Sequence, residues 1–191
     1  MALRPIRLRD GATWSRLRLR DVHHLRPWEP SAPGEWDDRH ALLSWPGQCG
    51  SLRSLARHGL ALPFAITLNG TYCGQFTVGN VVRNALRSAW VGYWVTSDVT
   101  GRGVATAAVA LGVDHCFGPV GLHRVEATVR PENAASRRVL VKLGFREEGL
   151  HERYLDVDGA WRDHLVYAMT EEEAPDGLVT RLIRAGRATP A

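Results

Sequence analysis

GYWVTSDVTGRGVATAAVALGVDHCF, residues 92–117, runs from an aromatic, β-branched segment through a short polar turn into an alanine-rich stretch. The first part has the composition of a strand and the last that of a helix, so the turn around Thr100–Gly103 opens onto a helix N-terminus. Free N–H groups there, together with the helix dipole, favour anionic oxygens, and Gly101 and Gly103 let the backbone approach a ligand closely. Arg102, inside the turn, adds a cation. A dinucleotide fingerprint fits poorly, because its third glycine would fall on Thr106 and several strands come earlier. A Walker A loop is excluded by the lack of a closing Gly-Lys-Ser/Thr. On these residues alone, a pyrophosphate site and a plain strand-to-helix turn both remain open.

The flanking sequence supplies the other elements. Leu3–Arg9 alternates like a first strand, and Asp10 is positioned to cap a helix over Ala12–Asp21 that turns Trp14 and Leu17 inward. After the proline-rich loop HHLRPWEP (His23–Pro30), short helical pieces are expected over Glu35–Leu43 and Gly47–His58, split at Pro46. Leu62–Leu68 and Thr71–Val78 flank Asn69-Gly70, whose residues tolerate positive φ, and read as a hairpin. Ser88–Thr96 is a strand before the glycine turn, and Leu122–Val129 is a strand after the alanine-rich helix. A last hairpin turns at Asp158-Gly159, which would set Tyr154 opposite Asp163 on one face. Residues 171–191 are expected to form a tail outside a domain of residues 1–170. Its one weak helix would carry solvated Arg181, Arg184 and Arg187.

RPENAASRRVLVKLGF (Arg130–Phe145) is the second informative stretch. A helix over Asn133–Leu143, stopped at Gly144, places Ser136, Val139, Leu140 and Leu143 on one stripe, and Asn133 extends that stripe by a turn. Polar groups on an inward stripe need partners. Asn133 can act as an N-cap and Ser136 can bond back to the helix backbone, or both can face a ligand in a cleft.

Composition narrows the function classes. With 191 residues and 45% apolar content, the chain suits one globular domain, and its net charge of +4 is compatible with an anionic ligand. Cys49, Cys73 and Cys116 are odd in number and widely spaced, so they read as reduced, buried small hydrophobes. His23, His24 and His164 have no partner spacing for a metal. No run is long and apolar enough for a membrane span and no leader is visible, so a cytoplasmic location is expected. Glu126 is expected at the surface. Glu29, beside Trp28, could receive an amine, but an acid in such a loop is expected to be solvated.

Taken together, the glycine-turn helix after GYWV and the later PENAASRRVLVKLGF resemble the core of the GNAT N-acetyltransferases. The resemblance implies an α+β fold with a mixed, mostly antiparallel seven-stranded sheet flanked by helices and splayed between strands four and five. It also implies acetyl-CoA as the acetyl donor. The family's phosphate loop, Gln/Arg-x-x-Gly-x-Gly/Ala, falls on Thr100, Gly101, Arg102, Gly103, Val104 and Ala105, with Thr100 in place of the usual Gln or Arg. By the same analogy Trp94, Val95 and Thr106 join Thr100–Ala105 around the donor, and the Val95 N–H faces the developing oxyanion. Asn133 would lie beside pantetheine and Ser136 near the sulfur as proton donor, with Tyr154 a further catalytic candidate.

YLDVDGAWRDH (Tyr154–His164) and the HHLRPWEP loop are similar to those of ribosomal-protein N-terminal alanine acetyltransferases of the RimJ and RimL type, over residues 3 to 170. That likeness implies a protein N-terminus, plausibly of a ribosomal protein, as acceptor, with Trp28, Glu29 and Asp163 beside it. It implies a monomer or dimer with no need of metal, membrane or direct nucleic-acid contact. A small-amine or antibiotic acetyltransferase and a non-catalytic acyl-CoA-binding regulator would use the same pocket.

Overall fold

A computed structural model describes residues 1–188 of the chain. Its strands are β1 (Ala2–Pro5), β2 (Leu62–Leu68), β3 (Thr71–Val82), β4 (Ser88–Val95), β5 (Arg124–Val129), β6 (Arg146–Val157) and β7 (Ala160–Thr170). They form one sheet in the order β1-β2-β3-β4-β5-β7-β6. Every neighbouring pair is antiparallel except β4 and β5, which run parallel because a helical crossover joins them. That crossover is α5 (Val104–Phe117), and the remaining helices are α1 (Gly11–Arg20), α2 (Val22–Leu25), α3 (Trp36–His40), α4 (Trp45–Arg57), α6 (Ala134–Leu143) and α7 (Leu178–Arg184). The expected mixed seven-stranded sheet flanked by helices is therefore present.

Strand alternation divides the sheet into two apolar faces. Ile66, Phe76, Val78 and Val91 pack against Val109, Val113, Leu140 and Leu143 of α5 and α6. On the opposite face Ala65 and Tyr72 meet Trp14 and Leu17 of α1 and Trp45 and Cys49 of α4. Gly112 sits mid-helix in α5 because a Cβ there would come 2.2 Å from the Phe76 ring, so the glycine lets the helix lie close to the sheet. Asn69 and Gly70 both take positive φ, 51° and 79°, as the β2–β3 hairpin requires. Cys49, Cys73 and Cys116 are free and buried, and burial pushes the Cys116 thiol up to about 12.

Three local expectations are corrected. The first strand stops at Pro5, and Asp10 does not cap α1. Its carboxylate instead accepts two bonds from Arg4, at 2.6 and 2.8 Å, and one from the Arg7 N–H, a charge-assisted set stronger than a single cap. Pro46 does not split a helix but occupies the first turn of α4, where its missing N–H costs nothing. The segment before it is α-helical over α3, breaks at Ala41 and resumes as a 3-10 turn over Leu42–Ser44.

The third correction concerns the tail. Leu178 and Leu182 of α7 are buried in the main core. Asp114 of α5 accepts bonds from the Leu178 and Val179 N–H groups at 2.6 and 3.0 Å, and Arg181 donates to the Leu143 carbonyl at 2.8 Å. This helix is docked, not free, because its apolar side chains outweigh its arginines. Arg184 does stay outside, paired with Asp176, and Arg187 is exposed. The loose chain end expected beyond them includes residues 189–191, which lie outside the described residues.

Candidate active site

The strand-to-helix turn is built from two left-handed residues. Gly101 has φ of 75° and Gly103, the N-cap of α5, has φ of 78°. A Cβ on either would meet nothing within 4 Å, so backbone conformation alone requires glycine and the space above the turn stays open. The first N–H groups of α5, from Val104, Ala105 and Thr106, have no acceptor within the helix and carry the positive end of its dipole. Arg102 is exposed beside them. Thr100 folds back, its hydroxyl 3.5 Å from the Thr96 carbonyl, and does not project as a longer Gln or Arg would.

Asp21, the residue that follows α1, braces the base of this turn. Its carboxylate accepts bonds from Arg20 at 2.8 Å, the Thr96 hydroxyl at 2.7 Å, and the Ser97 N–H and hydroxyl, each at 2.9 Å. Burial alone would raise the Asp21 pKa, but these donors outweigh it and hold the group well below the carboxylate range.

Next to the turn the sheet splays. β4 pairs with β5 only at Ser88↔Arg124, Ala89↔Val125 and Trp90↔Glu126, while β5 continues along β7 to Val129↔Leu165. The β5-facing edge of β4 from Val91 onward is therefore open, and Gly92, Tyr93, Trp94 and Val95 are all partly exposed in an otherwise internal strand. The Thr96 N–H donates to the Cys73 carbonyl on β3 at 2.8 Å. By strand alternation, the Val95 N–H points the other way, into the open wedge.

α6 forms one wall of the wedge. Asn133 is its N-cap, accepting from the Ser136 N–H at 3.0 Å, so its carbonyl oxygen is engaged and its NH₂ remains a donor. Ser136 does not turn back onto the helix. Its Oγ lies 2.9 Å from the hydroxyl of Tyr93 on β4. Tyr93 was missed in the sequence, although alternation along GYWV puts it on the same sheet face as Val91 and Val95, toward the Ser136 stripe.

The segment Arg26–Ser31, expected to lie beside an acceptor, is held by contacts with the β6–β7 hairpin and β5. The Ser31 N–H donates to the Asp156 carbonyl at 2.8 Å, Ser31 Oγ bonds Asp156 at 2.6 Å, and Arg26 pairs with Asp158 at 2.8 Å. The loop is thus pinned to the tip of the β6–β7 hairpin. Arg130, at the end of β5, donates to the Pro27 carbonyl at 2.8 Å and lies over the Trp28 ring at 5.4 Å. Glu29 is not solvated as expected but pairs with the buried Arg18. Arg18 is sandwiched 4.9 Å from the rings of both Trp36 and Trp94. Burial lowers the Arg18 guanidinium to about 10, which leaves it cationic at neutral pH. Through Trp94, this cluster touches the open strand.

Tyr154 and Asp163 do not form the simple pair expected. From the turn the register runs Leu155↔Arg162 and then shifts, so that His151 faces His164 and Glu152–Tyr154 bulge opposite Asp163. Arg153 takes positive φ and its N–H donates to Asp163 at 2.7 Å. Tyr154 instead packs against His151, tilted at 4.7 Å, and edge-on to His164 at 5.7 Å. His164 is buried, Nδ1 against the Arg162 carbonyl, and burial lowers its pKa. Glu126 pairs with Arg124 at the surface. Among the described residues no group of three or more His, Cys, Asp or Glu is arranged for a metal, and no helix is long and apolar enough to cross a membrane.

An open strand edge beside a glycine turn at a helix N-terminus can pair an extended amide-bearing arm while holding phosphates at its far end, as the resemblance to acetyl-CoA-dependent transferases implies. Residues 1–146 match the acetyltransferase (GNAT) domain family. The chain belongs to that family and is an N-acetyltransferase. Its structure is similar to that of Mycobacterium smegmatis RimJ in complex with CoA-disulfide, with a TM-score of 0.98 and 61% identity over 99% of this chain and 90% of that one. It is 28% identical over 180 residues to the [Ribosomal protein uS5]-alanine N-acetyltransferase of Escherichia coli, covering 93% of this chain and 91% of that protein. It is 41% identical over 96 residues to the Bacillus subtilis protein named "Probable N-acetyltransferase YjcK"; there the match spans about half of each, 50% of this chain and 53% of the relative.

Proposed function

We propose that this protein transfers the acetyl group of acetyl-CoA to the α-amine of a protein N-terminus in the cytoplasm, with a ribosomal protein beginning in alanine or serine as acceptor. The observation that carries the reading is the unpaired edge of β4 beside the Gly101–Gly103 turn, supported by the likeness to Mycobacterium smegmatis RimJ over 99% of this chain. The residues present fit the donor. Val104, Ala105 and Thr106 N–H groups with Arg102 suit a pyrophosphate, and the open edge of β4 with the Asn133 NH₂ suits pantetheine amides.

In this reading the Val95 N–H donates to the thioester oxygen as negative charge develops there. Ser136 gives its proton to the departing sulfur. The acceptor chain enters under Trp28 and the Arg18–Glu29 pair, with Asp163 and Tyr154 lining the hairpin side. A strong base is unnecessary for such an acceptor. An α-amine of pKa about 7.7–8.0 needs only ~1.4 kcal/mol to deprotonate at pH 7, against about 4.6 kcal/mol for a lysine near 10.4.

The test is thiol release from acetyl-CoA with peptides carrying free Ala or Ser N-termini, N-blocked peptides with one lysine, polyamines and aminoglycosides. Free N-termini should react best, with kcat/KM rising along a limb near the amine's own pKa. Preferential turnover of lysine, polyamine or aminoglycoside would replace the acceptor assignment. CoA binding without turnover of any acceptor would make the protein a regulator.

A further inference from the structure

We infer that Tyr93 is a positioning residue for the proton delivered to the leaving thiolate, acting through Ser136; the inference rests on the proposed role of Ser136. Tyr93 stands on the part of β4 that has lost its β5 partner, and its side chain crosses to α6 on the wall of the open wedge. Its hydroxyl has two neighbours, Ser136 Oγ at 2.9 Å and the Ser136 carbonyl at 3.4 Å. Either hydroxyl can donate across the shorter and better hydrogen bond, and the positioning role follows where the phenol is the donor and Oγ the acceptor. A serine hydroxyl that accepts there keeps its own proton free to point elsewhere. The Ser136 backbone is held independently by the Asn133 cap, so Tyr93 chiefly sets the direction of the hydroxyl.

Burial pushes the Tyr93 phenol up to about 12 against the lowering effect of its bond with Ser136, so it remains a donor through the working pH range. The consequence for the reaction is specific. As the C–S bond breaks, its electron pair goes to sulfur. The Ser136 Oγ–H bond then breaks, an S–H bond forms, and the alkoxide left on Oγ is stabilised by the Tyr93 O–H. The proton lost from the acceptor nitrogen passes to solvent, and solvent returns one to Ser136, so the protons balance.

The test is a mutant cycle of wild type, Tyr93→Phe, Ser136→Ala and the double variant. It is read in single turnover at saturating acetyl-CoA with an Ala-starting peptide, with calorimetric CoA affinity as the check on folding. Ser136→Ala should lower the rate by about 10–1,000-fold and Tyr93→Phe by about 10–100-fold, each with CoA affinity within about twofold of wild type. The double variant should be no slower than Ser136→Ala, because Tyr93 has nothing left to act upon. The solvent deuterium isotope effect of wild type should shrink in both single variants. A fast Tyr93→Phe beside a slow Ser136→Ala would overturn the inference and leave the Ser136 role standing. So would multiplicative losses in the double variant, which would assign Tyr93 to packing. A fast Ser136→Ala would instead remove the proton-donor role on which the inference rests. Tyr93→Leu taken through the same cycle keeps the outcome independent of how one substitution packs.

Discussion

Gly103 carries a backbone duty and leaves room for a ligand at the same atom. Its φ of 78° disfavours any side chain, yet a Cβ there would meet open space. The two effects can be separated. Gly103→Ala adds only left-handed strain, of about 1–2 kcal/mol, whereas Gly103→Glu adds a carboxylate where phosphate oxygens are expected. Acetyl-CoA affinity measured by calorimetry should fall modestly in the first variant and by roughly 100-fold or more in the second, with both melting cooperatively. Near-wild-type affinity in Gly103→Glu would remove the donor site from this turn. Ser136 and Asn133 show why such residues are ambiguous in sequence: Asn133 proved to be the helix cap, but Ser136 uses a partner from another element.

At the level of elements, α1, α3 and the Arg26–Ser31 loop are joined through buried polar groups whose protonation sets stability. The Trp36 carbonyl accepts from His40 Nδ1 at 2.8 Å, and Nε2 accepts from Arg18 at 2.9 Å, which requires a neutral ring. Burial, aided by the charge of Arg18, lowers the His40 pKa to about 4. An unfolded histidine titrates near 6.5, so below that value the unfolded chain takes up a proton the folded chain refuses. The stabilisation is complete above about pH 6.5 and is lost as the pH falls toward 4. Lowered His164 adds to the same trend, while the depressed carboxylates Asp10 and Asp21 begin to contribute only at lower pH. Urea midpoints should therefore fall between pH 7 and pH 5, with a shallower slope in His40→Asn. A flat wild-type profile over that interval would mean that His40 is not held neutral.

Across the whole molecule, α7 is part of the core that supports α5, since Leu178 and Leu182 are buried in it and Asp114 binds its first N–H groups. Leu182→Ala should cost about 2–4 kcal/mol in urea unfolding with kcat unchanged; a loss below 0.5 kcal/mol, the usual limit for surface changes, would return the helix to the solvated tail expected from its arginines. That expectation failed because α7 is short and charged, and what holds it is an apolar surface on distant elements. The hairpin at Asn69-Gly70, the helix stop at Gly144 and the Gly101–Gly103 turn were legible because positive φ is a local steric demand that few residues meet. The strand-helix-strand order from Ser88–Thr96 to Leu122–Val129 was legible for a related reason, as strand and helix periodicities alternate within the chain itself. Local rules of this kind determined most of the elements, their order and the placing of the glycine turn at the mouth of α5. Only the tertiary structure decided that Tyr93 meets Ser136, that Glu29 pairs with Arg18, that a bulge parts Tyr154 from Asp163, and that α7 docks. Each of those groups had water or several neighbours as an equally good local partner, and the choice among them was made by which distant surfaces close packing brought together.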